Sequence, residues 1–390
     1  MILLRLAIKN LVGAGIRSWL NAFVISLALV ASIWNQSLLL GTDEQSTRAS
    51  SEAEYGNGQY WQESYDPLDP LSLENGHGLL PAALARLVGE GRATPILVTQ
   101  ATIYPQGRMR SVLLKAIDPA QKVLTIPTAV LAGGGDEIPA LIGGRMSKAS
   151  GLKEGDTVMV RWREAGGAFN ALEARIVGVM STPIQSIDVN QLWIPLDRLQ
   201  TMTRLEGQAS LVVLGRGVPT IGPQAGWSFK DLGFLLKDIR QLVKTKSVGR
   251  IVMFSILMLL GMLAVFDTQV LSIFRRRKEM GTLMALGFTR GQVIRLFTLE
   301  GALHGVLAVV VGAIYGIPLM IYFYRHGYVL PSGTEGFGFS IGEKIFPVMS
   351  IGLVLSVTLL VLVVTTVVSF LPTRRIAKLK PTDALRGRFS

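Results

Sequence analysis

The sequence predicts a membrane α-helical protein with four transmembrane helices and a large α/β extracytoplasmic domain inserted between the first and second. Three observations predict it. The chain of 390 residues is 49% hydrophobic and only 17% charged, a charge content low for a soluble protein. Four segments, 18–42, 251–274, 301–324 and 345–373, run 24 residues or more and contain a single charged side chain between them, Asp267. A helix needs roughly 20 apolar residues to cross a bilayer core. Finally, the whole net charge of +12 falls on three short segments that flank these four.

Those segments set the orientation. Arg5, Lys9 and Arg17 precede the first span. Arg275, Arg276, Arg277, Lys278, Arg290 and Arg295, with Glu279 and Glu300, lie between the second and third. Arg374, Arg375, Lys378, Lys380, Arg386 and Arg388, with Asp383, follow the fourth. Their net charges are +3, +4 and +5, and the rest of the chain balances at 24 basic against 24 acidic residues. Short loops rich in Lys and Arg stay in the cytoplasm. Both termini and the 275–300 loop are therefore expected inside, and 43–250 and the short 325–344 loop outside. This accounts for the basic composition without a nucleic-acid partner. The first span is longer than the apolar core of a cleavable signal and lacks a clear small-residue cleavage site, so it reads as a retained helix. Before it, in 1–17, Ile2, Leu3, Ala7, Ile8, Leu11 and Val12 alternate with Arg5 and Lys9. That spacing predicts an amphipathic helix on the cytoplasmic lipid surface. The alternative is a simple flanking turn of the first span.

The 43–250 segment reads as a mixed α/β domain. Its polar opening, 43–54, is able to extend the first helix out of the membrane. Turn-rich stretches follow at 66–70 and 74–76, and Pro81 starts a helix over 81–88. Strands are expected at 94–103, 111–117, 157–162, 172–179 and 211–214, with helices at 195–202 and 230–247. Two lobes are expected: 43–120 with 208–250, and an inserted β-rich lobe at 121–207. The glycine-rich run 132–136 reads as a loop, since it lacks the lysine and the strand–helix context of a phosphate cradle.

Chemistry-bearing patterns are missing. There are no cysteines, so thiolate metal sites and thiol nucleophiles are excluded. His77, His304 and His326 are far apart in sequence and share no ligand spacing. No G-x-x-x-x-G-K-[ST], H-E-x-x-H or G-x-S-x-G motif occurs. We therefore expect no catalytic residue, no metal ligand and no cofactor bound by this chain, which is not an enzyme on this reading.

The 275–300 loop carries the most information. Met280, Leu283, Met284 and Leu286 recur at helical spacing, and Gly287 stands where a helix ends in a left-handed residue. Thr289 and Gln292 have the spacing of a capping box, so a second helix begins there and runs into the third span. A short helix with an exposed Met/Leu face at the inner membrane surface suits a groove on a partner. Its alternative is rest against the bilayer or neighbouring helices.

The stretch RRRKEMGTLMALGFTRGQV, 275–293, resembles the Arg-Arg-Lys/Arg-Glu-Ile-Gly-x-Leu-x-Ala-Leu-Gly-Ala-Thr signature of the FtsX/MacB/LolCE permease superfamily of ABC transporters. Met280 replaces the usual Ile, and Phe288 the usual Ala. LPTRRIAKLKPTDALRG, 371–387, resembles the family's closing motif, and 6–33 its approach to the first span. Within the superfamily, GNGQYWQESYDPLDPLSL (56–73) and LIGGRMSKASGLKEGDTVMV (141–160) resemble segments of lipoprotein-releasing permeases of the LolC/LolE type.

The resemblance implies a permease subunit of a mechanotransmission ABC transporter in the bacterial inner membrane, with its large domain periplasmic. Glu279, Met280, Gly281, Leu283, Met284, Ala285, Leu286 and Gly287 would form the coupling helix that docks on a separate ABC ATPase dimer, which would hold ATP and Mg. A second permease copy or paralogue would complete the core. The substrate would be a lipoprotein or other amphiphile drawn from the outer leaflet, with a possible periplasmic partner. The alternatives are an FtsX-like scaffold controlling a cell-wall hydrolase and a MacB-like exporter of peptides or macrolides.

Four further features bear on packing and function. Gly301, Gly305, Ala308, Gly312 and Gly316 fall within about an 80° arc of one helix, a packing face for another span or the wall of a substrate groove. Trp34, Asn35 and Gln36 approach the outer end of the first span, as an interfacial belt or a substrate vestibule. Asp267 is expected to pair with a cation such as Arg275 or to lie at the interface. Glu300 and His304 form an i, i+4 pair expected at the interface.

Overall fold

The computed structural model describes residues 2–13, 15–133, 137–182, 184–275, 277–329 and 344–376. The 134–136 part of the glycine-rich run, Arg276, most of the 325–344 loop and most of the 374–390 tail lie outside the described residues.

Helix α1, Ile2–Gly13, is followed at Gly15 (φ +59°) by α2, Ile16–Ser50. The polar 43–54 stretch does continue this helix, and the last residues, Ser51–Tyr55, widen into a π turn in which Gly56 N donates to Ser51 O at 2.7 Å. Next come β1 (Gln59–Gln62), β2 (Gly78–Leu79), α3 (Ala82–Gly89), β3 (Ala93–Ile103), β4 (Arg110–Ile117), β5 (Ile138–Gly143), α4 (Gly144–Ser150), β6 (Thr157–Arg163), β7 (Phe169–Met180), α5 (Gln185–Asp188), β8 (Gln191–Pro195), α6 (Leu196–Thr203), β9 (Gln208–Ala209), β10 (Leu211–Leu214) and β11 (Trp227–Lys230). The chain then runs through α7 (Leu232–Leu235), α8 (Lys237–Arg275), α9 (Arg277–Ala285), α10 (Arg290–His326), β12 (Tyr328–Val329), β13 (Lys344–Ile345) and α11 (Ile351–Ile376). Contacts divide it into two compact units: Asp43–Val243, and the described parts of Met1–Thr42, Lys244–Leu330 and Lys344–Ser390.

The sheet unit is built on one nine-stranded sheet, ordered β11-β1-β10-β3-β4-β8-β5-β7-β6. β3 is long enough for three neighbours. Its first half pairs with β10 and its last residues, Ala101–Ile103, pair with β6. The six strands from β3 to β6 thereby close into a ring, with parallel pairs at β4–β8 and β5–β7. Alternation along β6 explains its place: Val158, Val160 and Trp162 are buried while Met159 and Arg161 face out. One apolar cluster draws Leu97, Leu114, Leu192, Ile142, Ile176 and Trp162 from all six strands. The strands at 121–207 thus share their ring with β3 and β4, so the hydrogen-bonded body extends back to Ala93.

One expected helix, 230–247, is divided in the structure. Lys230 ends β11, and Asp231 caps the short α7 by accepting from Phe234 N at 2.8 Å, before α8 begins at Lys237. An aspartate flanked by hydrogen-bond donors of the next turn is a start signal, and it interrupts the apolar periodicity.

In the helical unit, three described helices are long and apolar enough to cross a membrane: Ser18–Tyr55, Arg290–His326 and Ile351–Arg374. Ala22, Ile25 and Leu29 of α2 pack with Ala308 of α10 and Val357 and Val361 of α11. The opposite faces expose Leu20, Phe23, Val310, Ile314, Leu355 and Leu359, as helices surrounded by lipid do. The apolar run at 345–373 is not helical throughout. Ile345 pairs with Tyr328 in a two-stranded ladder, Val348 N donates to Ser37 O at 3.0 Å, and Ser350 Oγ accepts from Leu353 N at 3.1 Å as the cap of α11. Pro347 keeps its predecessor extended, which delays the helix to Ile351.

Candidate functional site

The turn between α9 and α10 is written in local chemistry. α9 closes in a Schellman arrangement: Phe288 N donates to Leu283 O at 3.0 Å, and Gly287 N to Met284 O at 3.1 Å. Gly287 takes φ +97°, a conformation that only glycine adopts cheaply. Thr289 then caps α10. Its Oγ1 accepts from Gln292 N at 3.3 Å, and its own N donates to Gln292 Oε1 at 2.8 Å. The expected capping box is therefore present, reciprocal bonds included.

The turn folds α9 onto α10. Leu283, Met284 and Phe288 are half-buried against the buried Val293 and Phe297 of α10. Gly281 is buried, whereas Glu279, Thr282, Ala285, Leu286 and Gly287 are exposed, Leu286 at 74%. The eight residues of the expected docking helix thus divide. Glu279 and Leu286, at i and i+7, share an outward face with Thr282, which is not one of the eight, and Leu283 and Met284 hold the turn together. The side chain of Met280 lies outside the described residues, as do those of Arg275, Arg277 and Lys278. Sequence periodicity reveals the helix but not the direction of its Met/Leu face. The signal is the apolar Val293 and Phe297 at i, i+4 on the next helix, a surface that needs a cover.

The small residues of α10 lie at close approaches of helices. Gly301, Gly305, Ala308, Gly312 and Gly316 are all buried. At Gly301 a Cβ would run into Ser369 of α11, and at Gly305 it would lie 2.7 Å from Thr365 Oγ1. Further along, a Cβ at Gly316 would lie 2.8 Å from Val30 Cγ2 of α2, and one at Gly312 3.4 Å from Ser26 Cβ. The stripe therefore faces α11 with its first half and α2 with its second.

Residues 251–381, from α8 through α11 into the tail, match the FtsX-like permease C-terminal family. The chain resembles FtsX/LolC-like ABC transporter permeases. An uncharacterized ABC transporter permease of Methanocaldococcus jannaschii is 24% identical over 255 residues, which is 60% of this chain and 58% of that protein. The lipoprotein-releasing system transmembrane protein LolC of Neisseria meningitidis serogroup B is 22% identical over 351 residues, 80% of this chain and 79% of that protein. The chain thus spans under two thirds of the first of these relatives and most of the second.

Elsewhere in the chain, the ring of Trp34 stands 4.5 Å from that of Phe323 and 5.8 Å from that of Tyr328. It is committed to an aromatic cluster, while Asn35 and Gln36 are half-buried beside it. Asp267 is exposed on α8, and its expected partner, the Arg275 side chain, lies outside the described residues. Glu300 and His304 are buried: His304 Nδ1 is 2.8 Å from Glu300 O, and Asn10 Nδ2 of α1 donates to Glu300 Oε2 at 3.3 Å. Both lie in the helical unit, where α1 packs against α10. No cluster of three metal-ligating side chains occurs among the described residues.

One pair escapes sequence reasoning altogether. Lys115 Nζ of β4 donates to Glu54 Oε1 of the π turn at 3.2 Å, with both side chains nearly buried, and stands 5.2 Å from the Trp193 ring centroid. Glu54 and Lys115 are far apart in sequence and sit in unremarkable local contexts, so no spacing rule links them.

Proposed function

We propose that this permease is the membrane subunit of a mechanotransmission ABC transporter, with four spans, α8 supplying the one between α2 and α10. A separate ABC ATPase dimer would hydrolyse ATP and press on the outward face of α9. The chain's 390 residues contain no P-loop, which supports a separate ATPase as the source of energy. The observation that carries the reading is the α9–α10 corner, a short helix locked by a Schellman turn, a capping box and an apolar wedge. A push on such a corner reaches α10 without being lost in a flexible loop. The chain passes from one unit to the other inside α2 and α8, which supports those helices as the elements that carry motion outward.

The basic segments favour an inner-membrane topology with both termini and α9 in the cytoplasm and 43–250 in the periplasm. The LolC relative belongs by name to a lipoprotein-releasing system, so the favoured substrate is a lipoprotein or similar amphiphile taken from the outer leaflet. A second permease copy or paralogue would complete the assembly. The test is ATP hydrolysis by the complex with its ATPase in nanodiscs. Stimulation by a lipidated protein, and none by its unlipidated form, is expected. Stimulation by a soluble peptide instead would favour an exporter, and hydrolysis coupled to a cell-wall hydrolase would favour a scaffold. In the same preparation, Leu286→Asp is expected to lower ATPase co-purification about tenfold while leaving the melting temperature unchanged.

A further inference from the structure

The loop between β1 and β2 is ordered by its own polar atoms, yet it turns two leucines into solvent. The tripeptide Asp-Pro-Leu occurs twice in succession, at 66–68 and 69–71. Each aspartate makes an Asx turn: Leu68 N donates to Asp66 Oδ1 and Leu71 N to Asp69 Oδ1, both at 2.9 Å. Ser72 ties the two turns together, its Oγ lying 2.7 Å from Asp66 O and 2.8 Å from Asp69 O while accepting from Asp66 N at 2.9 Å. The ends are anchored as well. Tyr65 and Leu73 are buried in the core of the sheet unit, and a Cβ at Gly76 would lie 2.6 Å from Ser72 O. Burial, and then the carboxylates of Glu54 and Asp66, push the Tyr65 phenol up, so it remains a neutral anchor.

On this rigid base Leu68 is 83% exposed and Leu71 78%. A single exposed leucine needs no explanation. Two, on turns that any polar residue at the same positions would form equally well, are apolar anchors already held in one geometry, so that binding them costs little further ordering. Charge selects the occupant. Glu63, Asp66 and Asp69 are exposed around the leucines, and no Lys or Arg occurs between Arg48 and Arg86. An anionic bilayer repels such a rim. A symmetric contact with a second copy would set the same carboxylates face to face.

We propose that the 66–71 loop is a docking knob for a soluble extracytoplasmic protein that offers an apolar pocket rimmed by Lys and Arg. Its placement outside the cytoplasm rests on the topology proposed above. The experiment places p-benzoylphenylalanine at position 68 of the full chain in its native membrane, with the exposed position 169 as a control. Position 68 is expected to form an adduct with a secreted protein, which is then purified and titrated against the detergent-solubilised permease. Leu68→Ser with Leu71→Ser is expected to weaken that binding about tenfold or more. Asp66→Asn with Asp69→Asn keeps the turn acceptors and removes the charge, so it should weaken binding at about 50 mM salt and have little effect at about 500 mM. An adduct with phospholipid, an adduct with a second copy, equal adducts from position 169, no adduct, or unchanged affinity in the serine variant would each overturn the proposal. The topology is read separately, from labelling of Leu68→Cys by an impermeant maleimide on intact cells. Protection there would overturn the topology and the docking proposal together.

Discussion

In the helical unit, the buried hydroxyls of Ser26, Thr365, Ser369 and Thr373 each donate to a carbonyl of their own helix, at 2.7 to 3.0 Å. In the sheet unit, Glu54 and Lys115 are buried as a charge pair brought together across 61 positions of sequence. The first device satisfies a polar atom without needing a neighbour, and so allows helices to pack through glycine and small hydroxyl residues wherever they meet. The second depends on two distant elements being held in register, and ties the end of α2 to β4. A local solution suits helices that are expected to slide. A non-local one suits a body that is expected to move as a whole.

That comparison is broken most severely at Lys115. Lys115→Met leaves the Glu54 carboxylate buried without its ammonium, and is expected to destabilise the sheet unit by about 3–5 kcal/mol, read as a loss of melting temperature. Glu54→Leu combined with Lys115→Met should cost far less, because no charge is then stranded. In the helical unit, Gly305→Leu forces side-chain atoms into the space of Thr365 and Leu362 and is expected to cost about 1–3 kcal/mol, measured by unfolding in detergent. Thr289→Ala removes the capping box of α10 for about 1 kcal/mol. The smallest effect has the opposite sign. Gly291 faces open space, and a Cβ there would meet nothing within 4 Å, so Gly291→Ala is expected to stabilise α10 by about 0.4–1 kcal/mol. If Gly305→Leu were as mild as Gly291→Ala, close helix approach would not be what the glycine stripe provides.

The two units are also unequally legible. The capping box at Thr289 and the left-handed Gly287 depend on residues within five positions of each other, and spacing alone reveals them. The apolar helices announce themselves by length. The strands β3, β4, β6, β7 and β10 can be read from their apolar and β-branched runs, but ring closure through β3 and β6 joins segments some sixty residues apart and leaves no local trace. The ladder that places Ile345 beside Tyr328 is non-local in the same way, although Pro347 and Ser350 mark the true start of α11. At the candidate site, the short helix is legible from spacing, but the direction of Leu283 and Met284 is set by the angle of the turn and by Val293 and Phe297 beneath. Among the described residues, Leu286 is left as the large apolar side chain facing out.

In the proposed topology, this face of α9 lies on the opposite side of the membrane from the sheet unit, where an ATPase can reach it. The chain contains no cysteine, so single cysteines report without background. Leu286→Cys and Phe169→Cys in otherwise intact cells, treated with an impermeant maleimide, test it directly. The account predicts labelling at position 169 and protection at position 286 until the membrane is opened. Labelling of both from outside would contradict it.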